Sequence, residues 1–149
     1  MLRAAGAALL GAACADPVAP LTTADVAGTY ALATISGQSL PTLYGTGAGI
    51  TSTIVADTIR LAADGTWTDQ GVQGSTTSTV TSRTQVYTGT WTYDDARRVV
   101  RSTQVTRYGP LQPIEMVVQG RGDALTFDSG QPTSQYDYGR GLWVYTRVR

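Results

Sequence analysis

Ten aspartates, one glutamate and one cysteine are the residues of this 149-residue chain best suited to act as acid, base, metal ligand or nucleophile, because histidine and lysine are absent. A histidine-based triad, a zinc site of His and Cys ligands, a lysine Schiff base and a P-loop lysine are therefore excluded. The acidic groupings worth testing for calcium or paired-carboxylate chemistry are Asp57, Asp64, Asp69 and Asp94-Asp95. They lack the alternating Asp/Asn ligands and terminal Glu of an EF-hand loop. Glycoside hydrolysis needs two carboxyl groups facing each other across a cleft, which this spacing does not indicate. Asp64 and Asp94 suit turns better. No nucleophile–base pair can be named, so no catalytic residue, metal site or cofactor is expected.

Arg121-Gly122-Asp123 matches an adhesion tripeptide, but Gly on both sides of Arg121 with Asp following is also what a tight β-turn requires, and the turn is the expected role. Eleven arginines against 11 acids give a formal net charge of zero. No cationic excess exists to hold nucleic acid, and none is expected as a partner. The tight group Arg97, Arg98 and Arg101 fits a solvated strand edge.

The single cysteine, Cys14, follows a segment unlike the rest: Met1-Leu2-Arg3 is a short basic start, and Ala4 to Ala13 is an unbroken run of small and apolar residues. That run is too short for a stable bilayer span and about the length of a signal-peptide apolar region. Leu10-Gly11-Ala12-Ala13-Cys14 resembles a bacterial lipobox, with Gly11 where the pattern prefers Leu. Lipidation at Cys14 is the favoured expectation, and Ala13-Cys14-Ala15 as an ordinary Ala-X-Ala cleavage site is the alternative. Either processing gives an exported protein, and the favoured lipidation places it in the cell envelope. An acylated Cys14 would anchor it to a membrane through lipid, since two or more acyl chains hold more firmly than one. Ala15 after the cysteine is similar to lipoproteins sent to an outer membrane, where the organism has one. Residues 1–14 are thus assigned to a signal segment, 15–25 to a tether carrying Pro17 and Pro20, and 26–149 to one folded domain.

Helical periodicity is absent from Val26 onward, and short runs of β-branched and aromatic residues alternate with turn clusters. Strands are expected over Gly28 to Ser36, Ile50 to Ala63 (one bent strand or two), Thr66 to Gly71, Arg83 to Tyr93, Arg98 to Tyr108, Ile114 to Gln119, Ala124 to Phe127 and Leu142 to Val148. Asp64-Gly65 is a strong hairpin dipeptide. Gly45 to Gly49, Ser75 to Ser82 and Gly130 to Gly141 are expected as loop or polar connection. Eight or nine strands at near-regular spacing predict an all-β antiparallel meander, closed into an up-and-down barrel of about eight strands or folded into a sandwich.

On one expected strand Tyr87, Gly89, Trp91 and Tyr93 share a face, and on the last strand Trp143, Tyr145 and Arg147 oppose Leu142, Val144 and Thr146. Neither pattern decides the core side. Trp67, Trp91, Tyr93, Trp143 and Tyr145 are the candidate ligand-lining residues, most aromatic side chains being expected in core or barrel-end packing.

Val26-Ala27-Gly28-Thr29-Tyr30, Asp64-Gly65-Thr66-Trp67, Gly89-Thr90-Trp91, Gly122-Asp123-Ala124-Leu125-Thr126 and Trp143-Val144-Tyr145-Thr146-Arg147 together resemble the small bacterial lipocalin-like lipoproteins. In lipocalins a Gly-Xaa-Trp on the first strand packs against an arginine of the last strand and closes one barrel end. The resemblance implies that role for Gly28, Tyr30 and Arg147, with Tyr30 standing where the family has Trp. It also implies a closed barrel that binds a small apolar or amphipathic ligand. The alternative is a non-enzymatic structural or protein-interaction module with a filled interior, such as an envelope stabiliser or a barrel-shaped protease inhibitor.

Overall fold

The structure is a computed structural model that describes residues 19–47, 50–76, 80–106, 109–129 and 141–149. Its elements in chain order are a helical turn α1 (Thr23–Val26) and strands β1 (Gly28–Ile35), β2 (Gln38–Ser39), β3 (Thr42–Gly47), β4 (Ile50–Leu61), β5 (Thr66–Thr76), β6 (Val80–Asp94), β7 (Val99–Thr106), β8 (Gly109–Pro110), β9 (Ile114–Gln119), β10 (Ala124–Asp128) and β11 (Leu142–Arg147).

β1 decides the architecture, because it pairs antiparallel on both sides. Toward β11, Tyr30 lies opposite Arg147 and Leu32 opposite Tyr145. Toward β4, Gly28 lies opposite Leu61 and Tyr30 opposite Ile59. The ring β1–β11–β10–β9–β7–β6–β5–β4–β1 is a closed, all-antiparallel, eight-stranded barrel. The sandwich alternative is thereby removed. Closure satisfies the backbone groups that two free edges would leave exposed.

The Asp64-Gly65 turn behaves as its residues demand. Gly65 has φ +83°, and Asp64 Oδ1 accepts bonds from the backbone N–H and hydroxyl of Thr66. This turn fixes the β4–β5 register, with Leu61 opposite Trp67 and Ile59 opposite Asp69.

The strands on this side of the barrel run further than expected. β5 reaches Thr76 and β6 begins at Val80, so the Ser75 to Ser82 stretch is largely strand, outside the undescribed residues 77–79. Gly45, Thr46 and Gly47 pair with Ser52, Thr51 and Ile50 instead of forming loop. Local composition argued for a connection at both places. Ladder pairing along long β4 and β5 overrode it, since strand preference depends on neighbours more than on the residue itself. β7 covers β6 only from Gly89 to Asp94, so among the described residues the β3–β6 wall stands taller than the opposite wall.

Inward positions follow the two-residue period, shifted by bulges at Leu32/Thr34 and Ile54/Ala56. They build one core from Tyr30, Leu32, Ile59, Leu61, Trp67, Trp91, Val100, Met116, Val118, Leu125, Trp143 and Tyr145, among others. Two ambiguous faces are thereby settled. The Trp91 side of β6 and the Trp143–Tyr145–Arg147 side of β11 point inward, and Leu142 is exposed.

The folded body also begins earlier than the expected domain start at residue 26. Leu21 and Val26 are buried, and the backbone N–H of Leu21 donates to Asp95 Oδ1 at 3.2 Å. Thr22 and Asp25 form a reciprocal capping box on α1. The last residues assigned to the tether therefore cover one end of the barrel, a role that one helical turn is too short to reveal by periodicity.

Candidate functional site

The barrel interior has one sealed end and one polar region. At the sealed end the phenol of Tyr30, fully buried, donates to the carbonyl of Val26 at 2.6 Å and is within 3.1 Å of that of Gly122. Burial pushes this phenol's pKa up, opposed by the charge of Arg147. The Arg147 guanidinium lies 5.7 Å from the Tyr30 ring centroid. Its Nη1 donates to the carbonyls of Asp25 at 2.6 Å and Gly122 at 3.4 Å, and its Nη2 donates to that of Ala27. The carbonyls at the end of α1 thus find a cationic donor where a helix C-terminus favours one. Gly28 makes the approach possible, since a Cβ there would sit 2.8 Å from Arg147 Nη2.

The Arg121-Gly122-Asp123 segment belongs to this seal. Gly122 is buried at φ +85°, and a Cβ on it would stand 2.8 Å from the Asp25 carbonyl. Asp123 Oδ2 accepts the backbone N–H of Arg121 at 3.1 Å. The tripeptide is a turn built into the barrel floor.

Above the seal, β4, β5 and β11 bring together Asp57, Asp69 and Tyr145. Asp57 and Asp69 are hydrogen-bonded to each other, and Asp57 also accepts from the Tyr145 hydroxyl and the Thr58 backbone N–H. Burial raises the pKa of Asp57, and these three bonds oppose the rise. Asp69 is pushed up to about 8 by burial, by the charge of Asp57 and by its bond to Asp57. Burial and mutual repulsion thus favour one proton held between Asp69 and Asp57, with Asp57 also bonded to Tyr145. Two carboxyl groups sharing one proton is the expected state when like charges are this close. Glycoside hydrolysis needs roughly 5 Å or more between carboxyls, so direct contact does not suit it.

The inward side continues toward the rim as Gln73 and Gln85, whose amides are 3.4 Å apart, with the Tyr87 hydroxyl donating to Gln85. Sequence spacing alone did not join Asp57 to Asp69. The signal was present in Asp64-Gly65: once that dipeptide sets the register, positions 57 and 69 become diagonal neighbours on one face of the hairpin.

The remaining aromatic candidates divide by position. Trp67 and Trp91 are buried, and their indole N–H groups donate to the carbonyls of Thr103 at 3.2 Å and Ala62 at 2.8 Å. Both serve as wall and core. Tyr93 is half-buried and reaches Asp95 at 3.3 Å. Trp143, buried between the register partners Ile35 and Phe127, and Tyr145 are the pair nearest the carboxyl cluster along β11. Asp94 Oδ1 accepts the Arg97 backbone N–H, the turn role expected of it. Arg97 and Arg101 both pair with Glu115 on the exposed outer surface. No group of three or more potential metal ligands occurs among the described residues. Cys14 and the whole 1–14 segment lie outside the described residues.

Neither the family models, the curated proteins nor the solved structures provide a match to this chain.

Proposed function

We propose that the protein is an exported envelope carrier, lipid-anchored through Cys14, whose lipocalin-like barrel takes up a small amphipathic ligand. The observation that carries this reading is the asymmetry of the interior. One end is sealed by Tyr30 and Arg147, while the middle and far end hold Asp57, Asp69, Gln73 and Gln85 on inward positions. A barrel that only needed a filled core would gain more from apolar side chains at those places, because buried polar groups stabilise little even when paired. A polar region beside Trp143 and Tyr145 suits a ligand with an apolar body and a hydrogen-bonding head. The packed core around Trp67, Trp91 and Leu125 favours the rival reading of a structural module with a filled interior.

Native mass spectrometry of protein purified from its host separates the two. A carrier retains a small molecule of fixed mass that is released on denaturation. A single apo mass across preparations, with no gain of mass on incubation with a mixed lipid extract, overturns the carrier reading. For the anchor, labelled palmitate is expected to enter the wild type and not Cys14→Ala. Equal incorporation refutes lipidation at that residue.

A further inference from the structure

We infer that Asp57, Asp69 and Tyr145 form a proton-held latch that ties the β4–β5 wall to β11, and that loss of the shared proton loosens this side of the barrel. The inference holds for a carrier and for a filled module alike.

The geometry supplies the latch. Asp57 and Asp69 come from neighbouring strands of one hairpin, while Tyr145 comes from β11, which meets β4 only through β1. The Asp69–Asp57–Tyr145 chain of hydrogen bonds therefore spans β1 along the inner wall and joins strands that share no ladder. Backbone pairing cannot supply that cross-tie. Asp57 Oδ1 is buried and has no hydrogen-bond partner among the described residues.

The surroundings leave the proton as the means of neutralising the pair. From β4, Ile59 and Ile54 flank Asp57. From β5 come Gly71 and the neutral Gln73. β6 contributes Tyr87 opposite Asp69, Gln85 opposite Gly71 and the exposed Arg83 opposite Gln73. Leu32 of β1, Leu125 and Phe127 of β10, and Trp143 of β11 are uncharged. Among the described residues no cation offsets the two carboxyl groups at close range, and no arginine contributes to the shift of either.

With the proton present, the pair carries one charge that three donors solvate. Without it, two carboxylates face each other in a partly buried site, and the Asp69–Asp57 bond has no hydrogen. The folded chain then holds this proton far more tightly than the unfolded chain, where Asp69 titrates near its ordinary value of 3.8. The latch's stabilisation is consequently fully present below about pH 4 and is lost progressively as the pH rises toward about 8. In that window the folding constant falls by up to roughly tenfold per pH unit.

The test uses the full-length processed protein between pH 5 and 9. Infrared difference spectra of the wild type are expected to show a protonated carboxyl that persists at pH 7 and disappears near pH 8. Over the same range, amide-exchange protection of β4 and β5, corrected for the intrinsic pH dependence, is expected to fall at least tenfold. Asp69→Asn keeps an N–H donor toward Asp57 and removes the titration, so its protection profile is expected to be flat. A residue that only packs would lower stability without changing the pH profile. No protonated carboxyl at pH 7 in the wild type overturns the inference, and this holds even if the variant fails to fold. A profile in Asp69→Asn that parallels the wild type also overturns it.

Discussion

Removing the Arg147 guanidinium tests whether the barrel is closed by side-chain chemistry or by its ladder alone. In Arg147→Ala the carbonyls of Asp25, Ala27 and Gly122 lose a charged donor, and the Tyr30 face loses its cation. Hydrogen bonds to charged groups contribute about 1.5–3 kcal/mol each, and a cation over an aromatic face roughly 0.5–2 kcal/mol. Full addition would overshoot, because Arg147 is only half-buried and water can reach part of the carbonyls it leaves. Counting about one strong bond and the ring contact gives a net loss of roughly 2–4 kcal/mol. For a domain of this size each kcal/mol lowers Tm by about 3–6 °C, so a drop on the order of 10 °C is expected. Urea unfolding followed by fluorescence of Trp67, Trp91 and Trp143 gives the free energy, and Tyr30→Phe with the double variant closes a cycle. Coupling between the two sites of about 0.5–2 kcal/mol is expected, because both groups converge on the Gly122 carbonyl. Arg147→Lys should recover less than half of the loss, since a point cation does not span several carbonyls as a planar fork does. A loss below about 0.5 kcal/mol in Arg147→Ala would refute the reasoning, the predicted loss being several times larger.

Gly89→Ala should destabilise by about 3 kcal/mol or more in the same assay, because its Cβ would overlap the Thr103 backbone carbonyl and lie 2.7 Å from the Trp67 indole nitrogen. Leu125→Ala, at a fully buried position in β10, should cost about 2–5 kcal/mol by chemical denaturation. Glu115→Gln removes the partner of both Arg97 and Arg101, yet these pairs are solvent-exposed. Its Tm in moderate salt should be indistinguishable from that of the wild type, because solvent and salt screen exposed pairs.

The class of fold was legible from strand-length runs of Thr, Val and Tyr broken at Asp64-Gly65 and Gly120 to Asp123, because turn chemistry is local. The lengths of β3, β5 and β6 were not. Gly45 to Gly47 and Ser75-Thr76 have the composition of connections, and they are strands because neighbouring strands offer them ladder partners. Thr23 to Asp25, the first three residues of the helical turn, have the local composition of a tether for the complementary reason. The turn's value lies in burying Leu21 and Val26 over a barrel end made by distant strands.

The sequence by itself determined the chemistry available: carboxyl groups, arginine and aromatic side chains, with no histidine or lysine to titrate or attack. It also held the turn that makes β4 and β5 partners. Only tertiary structure decided which face of β6 and β11 turned inward, and with it that Tyr145 met Asp57 from the opposite end of the chain. Strand alternation sorts residues into two faces without saying which is inside. That choice is made when β1 finds β4 and β11 together. Closing the ring turns one face of every strand toward a shared interior, and there Asp57 and Asp69 meet and burial raises the pKa of both.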